Sequence, residues 1–310
     1  MNADGRISTT SRLAFFILCL YIGTTIANET NINVQELLSA AEKGSTDAQA
    51  KLGKRYLDGN GVSKDAVLAV KWLTQAAKGG NSDAQAAVGL LYMRGEIVPV
   101  NDREARKWFQ ESAEQGNPNG QLGLGRIYLL GAGVPKDYNE AAKWVRKSAD
   151  YGLAAAQSDF GKLLCMGLGV EKDLAQAAVW FTKAAEQGDL IAQWQMGRMY
   201  MEGAGVSADS AKAAAWHRRA ASQGHPWAQF ELGKLYARGQ GVAKDPVEAY
   251  KWLVIAPKYG PGEADLALQA AASRERLTAE MTAAQIEEAR TRAKAFVPEK
   301  ETPTPASNGK

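Results

Sequence analysis

Tryptophan stands at Trp72, Trp108, Trp144, Trp180, Trp216 and Trp252, a spacing of 36 residues that no insertion interrupts. A strict period of that length is incompatible with one globular core. Each unit is a supersecondary element that buries its apolar face only against its neighbours, so the units stack into a solenoid. Such a chain presents extended surface rather than an enclosed cleft, which favours binding over catalysis.

Residues 45–80 show what one unit contains. Ala48, Leu52, Arg55 and Tyr56 follow helical spacing until Gly59 and Gly61 break the chain. Asp65 is placed to cap a second helix, in which Ala69, Trp72, Leu73, Ala76 and Ala77 form an apolar stripe that ends at Gly80. Each unit is therefore helix A, a glycine loop, helix B and a tight turn. Gly53, Gly89, Gly125, Gly161, Gly197 and Gly233 recur in the middle of helix A, where glycine costs about 1 kcal/mol against alanine. A penalty kept six times implies close approach of helix B, with Ala69, Ala105, Ala141, Ala177, Ala213 and Ala249 as the matching small surface. The tryptophans are then expected to fill the space between units. Gly59, Gly95, Gly131, Gly167, Gly203 and Gly239 fall where helix A needs a left-handed end. Asp65, Asp137, Asp173, Asp209 and Asp245 start helix B, with Asn101-Asp102 in the second repeat.

The pattern Ala48-Gln49-x-x-Leu52-Gly53-x-x-Tyr56-x-x-Gly59-x-Gly61-Val62, then Ala69-x-x-Trp72-x-x-x-Ala76-Ala77-x-x-Gly80, resembles the Sel-one-like repeat family, relatives of the tetratricopeptide repeats. The resemblance covers residues 45–260 as six repeats. It implies an all-α fold, a right-handed α/α superhelical solenoid of six 36-residue helix-turn-helix repeats with N- and C-terminal capping helices. Residues 28–44 then hold a degenerate half-repeat, an N-terminal capping helix that lacks the tryptophan. Residues 261–297 resemble the closing segment of bacterial members, and Thr282 with Gln285 has capping-box spacing for a last helix running to about Phe296. Residues 298–310 are Pro-rich and polar, and are expected to be a disordered tail.

Residues 1–27 read as a signal peptide: Arg6 and Arg12, the apolar run Leu13 to Ile22, and a small-residue cleavage pattern ending at Ala27. The run is short for a span of about 20 residues, although an uncleaved anchor is the alternative. Export to the periplasm or secretion follows, with no stable membrane span after cleavage. Only Cys165 then remains, so no disulfide framework supports the fold, and the thiol reads as an inert buried group. A formal net charge of +3 weighs against a nucleic-acid partner.

In such solenoids the resemblance implies that helix A lines the concave surface, where columns that vary between repeats are the candidate contacts. One column reads Lys54, Leu90, Arg126, Lys162, Arg198, Lys234; the next reads Leu57, Met93, Leu129, Cys165, Met201, Ala237. A third runs Ala50, Ala86, Leu122, Ser158, Trp194, Phe230, and a fourth Asp47, Asp83, Asn119, Ala155, Ile191, Trp227. Trp194 and Trp227 are the tryptophans outside the 36-residue register. The expected site is a basic rail (Arg126, Lys162, Arg198, Lys234), a soft floor that includes Met201, and an aromatic pocket of Trp194, Trp227 and Phe230. It suits another protein, as an extended or helical peptide with acidic groups beside apolar anchors. The alternative is that the basic column is a solvated helix face and the aromatics patch gaps between repeats.

Catalytic constellations are lacking. His217 occupies the packing column of Leu73, Phe109, Val145 and Phe181, and His225 precedes Pro226 as Asn117 precedes Pro118. No Cys/His spacing suits a metal, no Ser/His/Asp set recurs, and Gly131-Ala132-Gly133 ends a helix rather than joining strand to helix. Neither a cofactor nor a metal is expected. Some members of the family are linked to β-lactam binding or hydrolysis, but they carry a cysteine pair in each repeat that this chain does not have. The reading is an exported, non-enzymatic scaffold or adaptor. A carbohydrate or cell-wall-glycan binder stacking sugars on Trp194, Trp227 and Phe230 is the second hypothesis, and a hydrolase the third.

Overall fold

The computed structural model describes residues 34–258 and 264–301. The signal peptide expected over 1–27 and the tail beyond Glu301 lie outside the described residues. Every regular element described is helical. Helix α1 (Val34–Glu42) precedes six A–B pairs: α2 (Thr46–Asp58) and α3 (Ala66–Lys78), α4 (Ser82–Arg94) and α5 (Asp102–Glu114), α6 (Pro118–Leu130) and α7 (Tyr138–Asp150). The last three pairs are α8 (Ala154–Met166) and α9 (Leu174–Glu186), α10 (Leu190–Glu202) and α11 (Ser210–Ser222), α12 (Pro226–Arg238) and α13 (Pro246–Ile255). A 3-10 turn (Ala256–Lys258), α14 (Ala264–Thr278) and α15 (Ala283–Ala295) follow. The fold is an all-α solenoid. It forms two compact units, the first running to Ala156 with Leu168–Val170, the second comprising Gln157–Gly167 and the chain from Glu171.

The helix boundaries follow the capping chemistry of the sequence. Asp65, Asn101, Asp137, Asp173, Asp209 and Asp245 cap the B helices through their side-chain oxygens. Gly59, Gly95, Gly131, Gly203 and Gly239 close A helices at φ between 66° and 74°, each N–H returning to a carbonyl four residues back.

Packing inside a repeat turns on the mid-helix glycine. In the first unit a Cβ on Gly53 would lie 2.7 Å from Leu73 Cγ, and one on Gly125 2.6 Å from Val145 Cγ2. In the second unit the corresponding distances are 2.9 Å from Gly161 to the Phe181 ring and 2.9 Å from Gly233 to Leu253 Cγ. The side chain pressed into each gap is thus the residue after the tryptophan. The expected alanine column is fully buried, from Ala69 to Ala249, but lines the crossing without filling it.

The register tryptophans divide into two groups. Trp72, Trp108 and Trp252 are buried, and Trp108 shares a core cluster with Leu73, Ala76, Ala84 and Val88 of the preceding A and B helices. Trp144, Trp180 and Trp216 are half-buried. A cation covers each of these rings: Lys147 lies 4.2 Å from the Trp144 centroid, Lys183 4.4 Å from Trp180 and the Arg219 guanidinium 4.6 Å from Trp216. The Trp144 indole packs on the cluster of Met93, Phe109, Leu124 and Ile127 on one side and carries a charged side chain on the other.

The ends close the stack. Helix α1 packs Leu37 and Ala41 against Leu52 and Trp72. At the other end α14 and α15 place Leu266, Ala270, Leu277 and Ala289 over Phe230, Tyr250 and Leu253, and the capping box of Thr282 and Gln285 is formed. One boundary is corrected. Residues 298–301, read as the start of a disordered tail, are tied to the fold, for Glu299 N–H donates to the Ser222 carbonyl at 3.1 Å.

Trp108→Ala should lose about 3–5 kcal/mol through transfer and cavity terms. Trp216→Ala, whose ring is half in water, should lose less than half of that; urea melts of both variants check the order, and equal losses would contradict the two-group division.

Candidate partner-binding site

The four variable columns lie on the A helices, and in the first unit they surround a cavity. Ala86, Leu90 and Met93 of α4 face Leu122, Gly123 and Arg126 of α6, with the Phe109 ring of α5 beneath and Asp83 and Asn119 at the rim. Its volume is about 70 Å3. Small-molecule sites occupy about 300–1,000 Å3, so this space admits one side chain rather than a sugar ring or a cofactor. It exists because small residues line it here: Ala86 and Ala87 from α4, Gly123 from α6 and Ala155 from α8. Asp83 Oδ1 accepts from Asn117 Nδ2 at 2.6 Å, which holds its carboxylate at the rim. Arg126 is buried, not a member of an open rail.

In the second unit the same columns are filled. Trp194, in the column of Ala86, stacks on His225 with centroids 4.9 Å apart and rings 21° from parallel. The Arg198 guanidinium carbon lies 5.4 Å from that indole, so the ring is engaged on the protein itself. Phe230 is buried in the core cluster that α14 and α15 complete, and Trp227 meets it edge-on at 6.1 Å. The expected aromatic pocket is therefore corrected: the aromatics fill the last repeats, because the closing helices need an apolar surface to cover. Met201 is half-buried on α10.

The basic rail is corrected as well. Lys162 Nζ lies 3.0 Å from Asp159, Lys234 Nζ 2.8 Å from Glu231, and Arg198 3.1 Å from Glu202. Each cation is countered by a carboxylate one turn away on its own helix, so the column is a row of ion pairs rather than a positive track, and the exposed Arg198–Glu202 pair is worth about 0–1 kcal/mol. Those acids stand at i−3 or i+4 in the sequence and were legible there.

Two features escaped the sequence reading. The glutamine at the fourth position of helix A is buried in every repeat. Gln49, Gln85, Gln193 and Gln229 each donate through Nε2 to the carbonyl eight residues back, at the end of the preceding B helix. This bond satisfies a helix-terminal acceptor and fixes the angle between repeats. The second feature is the cap of helix A, supplied by Ser45, Asn81, Asn117, Asp189 and His225.

The histidines belong to this framework. His225 Nδ1 accepts from Ala228 N–H at 3.2 Å, which requires that nitrogen to be unprotonated, and burial pushes its pKa down to about 3. His217 is fully buried against Gly197, where a Cβ would lie 2.5 Å from the imidazole, and neither ring nitrogen has a hydrogen-bond partner. Burial, with Lys234 and Arg198 nearby, lowers its pKa to about 4. Both are neutral structural groups at pH 7. Cys165 is half-buried, and desolvation raises its pKa, which leaves it the thiol. No group of three or more His, Cys, Asp or Glu suited to a metal is present among the described residues.

The model of the Sel1 repeat matches residues 46–81, 82–117, 118–153, 154–189, 190–225 and 228–256. The chain belongs to the Sel1 repeat family. Among solved structures it is similar to c5321, a protective antigen present in uropathogenic Escherichia coli strains displaying an SLR fold, at 31% identity and TM-score 0.66. That likeness covers 85% of this chain and 64% of that one, so the chain spans somewhat less than two thirds of its length. It is also similar to a Sel1 repeat protein from Oxalobacter formigenes, at 34% identity and TM-score 0.65, over 74% of this chain and 100% of that one. No protein with a curated description matches. Sel1 repeat proteins are generally non-catalytic protein-interaction scaffolds, and no helix among the described residues is long and apolar enough to cross a membrane.

The two histidines of this Sel1 repeat protein predict a pH dependence. Their folded pKa values lie below the unfolded value of about 6.5, so their contribution to stability is intact above pH 6.5 and is lost as pH falls toward 4 and 3. From His217 alone the loss is up to roughly 3 kcal/mol between pH 6.5 and 4. His217→Leu with His225→Asn, the residues of sister repeats, should flatten that slope in urea melts at pH 7 and 4.5; an unchanged slope refutes the assignment.

Proposed function

We propose that this protein is an exported scaffold that seats one apolar side chain of a partner protein in the cavity between α4 and α6. The cavity carries the reading: an apolar floor of Leu90, Met93, Phe109 and Leu122, rimmed by Asp83 and Asn119, has the size and lining of an anchor pocket for a peptide. Methionine at its base adapts to an irregular guest. The polar rim supplies hydrogen bonds beside the anchor, so the segment that fits is amphipathic. Export rests on the signal-like composition of residues 1–27, which places the partner in the periplasm or outside the cell.

The glycan reading loses its platform, because Trp194 lies against His225 and Phe230 is covered by the C-terminal helices. The absence of a paired acid–base constellation in the sequence leaves the hydrolase reading without a reacting group.

Filling the cavity tests the proposal. Ala86→Phe introduces at α4 the residue that the sixth repeat carries in this column, so it is compatible with the repeat. Partner capture from periplasmic extract by the tagged full chain should fall at least about tenfold, while Trp194→Ala should leave it unchanged. Undiminished capture by a folded Ala86→Phe chain would show that the cavity is not the anchor site.

A further inference from the structure

The segment after α15 crosses repeats five and six along the edge that carries the turns between repeats. Phe296 sets its ring edge-on to Trp252 at 5.3 Å. Pro298 lies over Gly224, where a Cβ would come within 3.1 Å of the proline ring. Glu299 N–H donates to the Ser222 carbonyl at 3.1 Å, and Glu301 N–H reaches Gln223 Oε1 at 3.4 Å. The Glu301 carboxylate is held by the Arg219 guanidinium, with Nε and Nη2 each 2.8 Å from Oε1, and by the Gln193 side-chain amide.

The receiving groups are built into the fold. Gln193 is fully buried and also donates to the Ala185 carbonyl at 3.1 Å, while Gln223 donates to Gln193 Oε1 at 2.8 Å. Arg219 is fixed by a bond to that same Ala185 carbonyl at 3.1 Å. Main-chain bonds to an extended strand, a proline on a glycine turn and a two-pronged grip on one carboxylate are the elements of peptide recognition.

In the first unit one buried glutamine of this column also takes a carboxylate. Gln85, in the column of Gln193, donates to Glu111 Oε2 at 3.2 Å. Glu111 stands in the column of Arg219, so there the repeat supplies the acid from its own B helix. Where the column turns to arginine the charge is reversed, and the acid arrives on a separate strand.

We propose that this edge is a docking site for an extended peptide carrying a glutamate three residues after a proline. Residues 296–301 are its resident ligand in cis, and a partner segment of the same chemistry binds by displacing them. The site is separate from the cavity of repeats two and three and stands independently of the function proposed for it.

The test uses the full chain and a fluorescein-labelled peptide, AFVPEKETP, read by anisotropy, with circular dichroism as the check on folding. In the F296A/E301A chain both cis anchors are removed, and the peptide should bind at least about tenfold more tightly than to wild type. Replacing the second glutamate of the peptide by glutamine should weaken binding about tenfold, and adding R219A to the chain should abolish it. If F296A/E301A does not fold, E301A alone replaces it with the same expectations. Equal binding to wild type, no binding to either chain, or binding that survives R219A overturns the proposal. Sedimentation of the wild-type chain as an Arg219-dependent dimer overturns the cis assignment, because the strap would then belong to a second copy.

Discussion

Each repeat depends on helix A passing so close to its helix B that a methyl group at the crossing would lie inside its neighbour. The glycine at that point faces the residue after the tryptophan, at hypothetical Cβ distances of 2.5 to 2.9 Å in all six repeats. Close crossing lets the buried alanines of helix B meet helix A without a gap, and in the second repeat it brings Trp108 to the junction with the preceding repeat. The penalty of a mid-helix glycine is offset by this packing. A solenoid has no common core to absorb a misfit, so the crossing must be the same in every unit.

That uniformity separates scaffold from surface. Because glycine, alanine, glutamine and capping positions carry the fold, the remaining helix A columns change without disturbing it. One column holds alanine in α4, where a cavity results, and tryptophan or phenylalanine in α10 and α12, where the space is filled. Filling the last repeat is a requirement of its position: Phe230 presents the apolar face that Leu266, Leu277 and Ala289 cover. A column read from sequence as a gradient toward an aromatic site is, in space, a gradient from open to closed.

The frame was legible because each of its positions recurs with one physical cause. Left-handed glycines, aspartate caps and the capping box of Thr282 appear where spacing places them. The candidate site was legible only in part. The columns lie on the A helices, but exposure is set by neighbours distant in sequence, so Phe230 and Arg126 were read as open although both are buried. The ion partners of Lys162 and Lys234 were within three residues and were readable; the stacking of Trp194 on His225 joins residues 31 positions apart and was not.

By itself the sequence determined the repeat, its period, its helix boundaries and the solenoid class, since these follow from local spacing and capping and from an apolar stripe that no single unit can bury. Only the tertiary structure decided which variable residues face open space, how the buried glutamines link successive repeats, and where the strand after α15 lies. Those depend on side chains brought together across repeats and on the closing helices. Glu301 meets Gln193 and Arg219 across 108 and 82 residues of chain, a contact that no periodicity encodes.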